Sequence, residues 1–121
     1  MINLSEIPYF DGHCDTIWRC MYGEPAACGG LRENNGHLDL LRSGRYGRRA
    51  QFFALFDNAA TLPSGPVWPH LCAMHRWFQE QLAANGDMAV LCRTGGEVDD
   101  AVSAGRTAAL LSIEGADLLD C

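Results

Sequence analysis

Lysine is missing from this chain altogether: its nine basic residues are all arginine, and they are scattered rather than gathered into a run. Fifteen acidic residues leave a formal net charge of -6. Phosphate backbones are bound by concentrated positive surface, so nucleic acid is not an expected partner. Any Cys-x-x-Cys pair is missing too. The six cysteines, Cys14, Cys20, Cys28, Cys72, Cys92 and Cys121, stand singly, which speaks against a zinc ribbon and against a thioredoxin-like redox motif. The first residues carry neither the basic stretch nor the apolar core of a secretory signal, and no apolar run is long enough to cross a bilayer, so no membrane segment is expected. The expectation is a cytoplasmic protein with reduced thiols; a mature secreted protein beginning at an engineered Met1 is the alternative.

What is present is a globular composition. The chain has 121 residues, 48% of them apolar, enough for one small domain with its own core across residues 1–121. Residues 7–15, Ile-Pro-Tyr-Phe-Asp-Gly-His-Cys-Asp, read as a buried strand, with Thr16 as the N-cap of a short helix over residues 16–22,. Residues 23–36 are punctuated by Gly23, Pro25, Gly29, Gly30, Asn34, Asn35 and Gly36 and predict a long loop of the kind that often serves function,. A short helix over residues 37–44 is stopped by Gly44. Residues 49–56 form an aromatic, nearly uncharged run, as expected of a strand buried on both faces.

After a loop over residues 57–69, a helix is expected within residues 67–85, where Leu71, Met74, His75, Phe78 and Leu82 recur at spacings of three and four,. Residues 88–92 predict a short strand or extended piece. Residues 97–104 predict a helix, residues 107–114 the third principal strand, and residues 115–121 the start of a further helix. Strands separated by helical crossovers are the mark of the α/β class with parallel pairing.

Two places carry chemistry. On a strand, His13 and Asp15 project to one side and Cys14 to the other. An imidazole and a carboxylate one strand step apart can grip a divalent cation, most naturally zinc. The plainer reading is an Asp15 that caps the next helix and an ordinary histidine. Glu114 ends the last strand, and in a parallel barrel the C-terminal strand ends converge on one face. His13, Asp15 and Glu114 are therefore the candidate metal ligands. A second His-x-Asp, His37 and Asp39, reads as structural, with Asp39 bonding in a turn. Cys14 reads as a small hydrophobe, Gln51 as internal support, and Trp68 and Trp77 as packing residues. Asp11 either orients a ligand or caps the strand end. Tyr22 lies where substrate could approach. His70 and His75 accompany the helix rather than a strand end and are not candidate ligands.

Three segments together resemble the membrane dipeptidase (renal dipeptidase-like, peptidase M19) family. Asp11-Gly12-His13-Cys14-Asp15-Thr16 is similar to its opening motif, Gly47-Arg48-Arg49-Ala50-Gln51-Phe52-Phe53 to its second-strand motif, and Leu110-Leu111-Ser112-Ile113-Glu114-Gly115-Ala116 to its leucine-rich strand followed by Glu-Gly. The piece His37-Leu38-Asp39-Leu40 also looks like the segment before the family's second strand, and the order is collinear. The resemblance implies the N-terminal portion of a (β/α)8 TIM-type barrel of the amidohydrolase, or metallo-dependent hydrolase, type. It implies a binuclear zinc centre and hydrolysis of dipeptides, with tolerance for a C-terminal D-residue. His13 and Asp15 would hold one zinc and Glu114 would bridge two, and the nucleophile would be metal-bound hydroxide, so no side chain is expected to be the nucleophile.

The family takes its further zinc-binding histidines and its substrate-binding residues from later strands, and a whole barrel needs about 250 residues. The chain is therefore expected to be an N-terminal fragment that holds at most one ion weakly and is inactive alone. It would be completed by the missing C-terminal half of the barrel or by a homo-oligomer. The alternatives are a non-catalytic remnant or partner-binding partial barrel and, against the Ala-Gln-Phe resemblance, another amidohydrolase-type hydrolase.

Overall fold

In a computed structural model the described residues are 1–23, 29–57 and 67–115. The expectation of a helix beyond residue 115 lies outside them, as do Cys28 and Cys121. After a 3-10 turn at Leu4–Glu6 the elements run β1 (Tyr9–Asp11), α1 (Thr16–Tyr22), α2 (Leu40–Ser43), β2 (Arg49–Leu55), α3 (Trp68–Ala84), β3 (Ala89–Leu91), α4 (Gly95–Ser103) and β4 (Thr107–Ile113). The four strands make one sheet in the order β1-β2-β4-β3, parallel throughout. The α/β class is the one read from the sequence.

The two faces of the sheet divide by residue parity, as the pleat requires. Phe53, Leu55, Ala89 and Ala109 point to one face. They pack with Ile17 of α1, Leu40 of α2, and Leu71, Met74, Phe78 and Leu82 of α3. Ala50 and Ala108 point to the other, against Ala101 of α4, with Val90, Val98, Val102 and Leu110 around them. Four of the five residues in the expected helical stripe of α3 are thus in the core, and only His75 stays half-buried. The capping box of α4, in which Thr94 and Glu97 satisfy one another's backbone N–H groups, fixes its start two residues before the expected one,.

Strand order explains why α4 lies apart from α1 and α3. Parallel crossovers are right-handed. Successive crossovers in one direction stack their helices on one face, while the return from β3 to β4 must put α4 on the opposite face. In a plain barrel each strand pairs with the next in sequence and every helix lies outside. Here β2 pairs with β4, and β3 is a short strand on the far edge. The order seen here therefore departs from that uniform repetition at β3–α4.

Two local features lock the lower end of the sheet. Arg49 is buried, and its guanidinium donates to the carbonyls of Tyr46, Gly47 and Gly105 and to Thr107 Oγ1, tying the starts of β2 and β4 together. Gly47 lies so close to the first turn that an added Cβ would sit 2.4 Å from the Ser5 carbonyl oxygen, a backbone approach that only glycine permits. Trp68 corrects one expectation. It is 53% exposed at the start of α3, whereas Trp77 packs against the core as expected.

Phe53 and Phe78 meet at 5.1 Å between ring centroids, and both are fully buried where β2 faces α3. Phe53→Ala is expected to lower unfolding free energy by about 3–5 kcal/mol through the cavity it leaves, measured by urea denaturation followed by far-UV circular dichroism.

Candidate metal centre

Only Tyr9–Asp11 of the first apolar segment is regular strand. His13 and Asp15 lie beyond its end, so strand alternation is not what aligns them. The chain still runs beside β2: Ala54 donates to the Cys14 carbonyl at 3.0 Å. Between strand and helix the turn is held by Asp11, whose Oδ1 accepts from the His13 backbone N–H at 3.1 Å. Of the two readings of Asp11, the structure gives the capping one. The Tyr9 hydroxyl, bonded to Asp11 Oδ2 at 3.2 Å and to Gln51 Oε1 at 2.7 Å, steadies it. Burial first, then the neighbouring Asp11 charge, pushes the Tyr9 phenol well above its ordinary pKa. Gln51 is internal support, as read from the sequence.

Asp15 occupies the N-cap position of α1, where Thr16 was expected, and Thr16 is the first helical residue. The Asp15 carboxylate makes no capping bond to the helix. It turns to His13, with Oδ1 3.1 Å from Nε2. Glu114 arrives from the other direction. Its backbone N–H bonds the Leu55 carbonyl at 3.1 Å, one rung past β4, and its Oε2 lies 3.1 Å from the same His13 Nε2. The three residues named from the sequence are thus brought together.

The donor atoms of His13, Asp15 and Glu114 all lie within 4.8 Å of one another, the one such group of three among the described residues. Their side chains are 48, 46 and 47% exposed. A single Nε2–H can serve one carboxylate oxygen well, yet two compete for it at equal distance. A cation would satisfy all three atoms at once. Zinc–ligand bonds of about 2.0 Å set tetrahedral ligands about 3.3 Å apart, close to the spacing seen at both carboxylates. One nitrogen and two oxygens are donors suited to zinc and related divalent ions.

His13 and Asp15 line a cleft of about 680 Å3, whose walls also include Tyr9, Trp18, Asn35, His37 and Phe56. Cys14 is half-buried against the core under α1, and burial raises its thiol pKa. That is the small-hydrophobe role expected of it. Neither a protein-family model nor a curated protein matches this chain. No helix among the described residues is long and apolar enough to cross a membrane.

Of the second His-x-Asp, Asp39 has the structural role expected of the pair and His37 does not. His37 is exposed on the cleft. Asp39 is buried and caps α2, accepting from Arg42 N at 2.7 Å, Arg42 Nε at 2.6 Å and Asn34 N at 3.4 Å. One pair was not found from the sequence. Asp57, almost wholly buried just past β2, bonds the His70 imidazole and accepts from Trp18 Nε1 at 2.8 Å. Its signal was available: Asp57 follows the apolar run of β2 as Glu114 follows that of β4. Tyr22 lies with this pair, its ring stacked on His70 at 4.6 Å.

Burial works against the charged form of Asp39, but the hydrogen bonds from Arg42 and Asn34 outweigh it and hold the carboxyl below its usual range. A carboxyl depressed in the folded state adds stability above its unfolded pKa of about 3.9, lost as pH falls through the lower folded value. Asp39→Asn is therefore expected to lower the melting temperature at neutral pH. It should also flatten the acid limb of a melting-temperature profile below about pH 4.

Proposed function

We propose that this chain carries the metal-binding end of a zinc-dependent hydrolase acting on dipeptides, of the membrane dipeptidase type. The observation that supports it most directly is His13 Nε2 standing 3.1 Å from both Asp15 Oδ1 and Glu114 Oε2 at the C-terminal edge of a parallel sheet. Three collinear sequence resemblances supply the family, and the geometry agrees with the ligand set they imply. In the barrel reading β1, β2 and β4 are the barrel's own strands, and β3–α4 is an excursion from the far edge of β4. Phe10, 71% exposed on β1, then belongs to a surface that further strands or a second copy of the chain would cover.

Each ligand has a distinct role. His13 gives a neutral nitrogen, and Asp15 balances charge from the same turn. Glu114, with two oxygens, leaves one free to reach a second ion. Zinc, when bound, polarises a carbonyl and lowers the pKa of water to about 7. A peptide held beside it would lie in the cleft that His13, Asp15 and Trp18 line. Three protein donors with roughly half-exposed side chains hold one ion weakly, because water competes at every position.

Isothermal titration with Zn2+ and Co2+ is expected to show one saturable site. His13→Ala, Asp15→Ala and Glu114→Ala should each weaken binding at least about tenfold without loss of the far-UV spectrum. Affinity should fall as the solution is acidified, because metal ligands must be deprotonated to bind. Binding that is absent, or indifferent to His13→Ala, would remove the proposal. Hydrolysis of a panel of dipeptides by the Zn2+-loaded chain is expected to be slight.

A further inference from the structure

The metal centre leaves one buried polar cluster unused. Asp57 leaves the end of β2 with its carboxylate 1% exposed. On one oxygen it holds the imidazole of His70, from the first turn of α3; on the other it takes the indole N–H of Trp18, from α1. The Tyr22 ring lies over His70 at 29° to it, again from α1. A buried carboxylate–imidazole pair contributes little net stability compared with apolar side chains of similar size. What it does supply is direction, since its hydrogen bonds are made in only one arrangement. Here that arrangement consumes the single polar atom of Trp18. The rest of the indole is apolar, and it meets Phe56 edge-on at 6.1 Å, both rings lining the cleft that His13 and Asp15 also line. Leu38 and Tyr9 line the same cleft.

We propose that Asp57 and His70 are positioning residues that turn Trp18 into an apolar wall, so that the cleft selects small peptides bearing an aromatic or large apolar side chain. The proposal rests on the metal-hydrolase reading of this cleft and adds its specificity. Glycine-only peptides leave the wall uncovered.

The test uses the whole chain loaded with Co2+, whose visible spectrum reports the occupied triad. Calorimetry then compares glycyl-L-phenylalanine with glycylglycine. The aromatic peptide is expected to bind about tenfold tighter or better, the range a hydrophobic pocket discriminates. Asp57→Asn keeps an oxygen for the indole N–H and should retain most of that preference. Asp57→Ala and Trp18→Gln should bring the two affinities together. Trp18→Gln leaves the buried pair intact, so it serves if Asp57→Ala does not fold, as judged by circular dichroism. Co2+ bound with equal affinity for the two peptides, with neither peptide bound, or with a preference that survives Trp18→Gln, overturns this inference and leaves the metal centre standing. Failure of the unaltered chain to bind Co2+ overturns the metal reading and this inference with it.

Discussion

Two backbone hydrogen bonds made just past the regular sheet decide what this molecule can do. Ala54 holds the Cys14 carbonyl, and Leu55 holds the Glu114 N–H. Both lie on β2, so this one strand carries the two ligand-bearing segments on its opposite edges. Parallel pairing sends both segments out at the same end. The buried run Phe53–Leu55 fixes the register, because a slip of one residue would turn Phe53 and Leu55 from the α3 face to the α4 face,. The distances at His13 are thus a consequence of core packing more than of anything within the triad itself.

Two carboxylate–imidazole groups result at this end of the sheet, and their surroundings give them different uses. The triad of His13, Asp15 and Glu114 is open to water, where ion pairing contributes little to stability,. Its three donor atoms lie close enough together that they could hold a cation. Asp57 and His70 are enclosed, and Asp57 also takes the Trp18 N–H. Enclosure excludes water and makes the hydrogen-bond directions binding on the neighbouring rings. One group could hold a cation, and the other fixes the Trp18 ring that lines the neighbouring cleft.

Periodicity located most elements to within a few residues, because α3 and the two long strands carry enough apolar residues to commit themselves locally. The first segment failed that test. Its apolar lead-in suggested a strand through residue 15, but Gly12 and the Asp11 turn end the regular ladder early. Asp15 does meet His13, though not through the side-chain alternation expected of a strand. Asp57 was passed over because its meaning depends on His70, thirteen positions away, and on Trp18, thirty-nine away. Neither separation has a local pattern. The interruption at β3–α4 was equally hidden, since strand order inside a parallel sheet leaves no mark on the hydrophobic period.

The amino-acid sequence by itself determined the α/β alternation, the absence of a basic surface, and the identity of three side chains able to hold a cation. Those properties follow from composition, from spacing and from carboxylates placed where apolar runs stop. Tertiary structure alone decided that β4 lies between β2 and β3, that α4 covers its own face, and that Glu114 reaches the same nitrogen as Asp15. It also decided that the Trp18 N–H is engaged by Asp57. These are relations between residues far apart in the chain, and they are set by the one packing of helices on the sheet that satisfies both faces together.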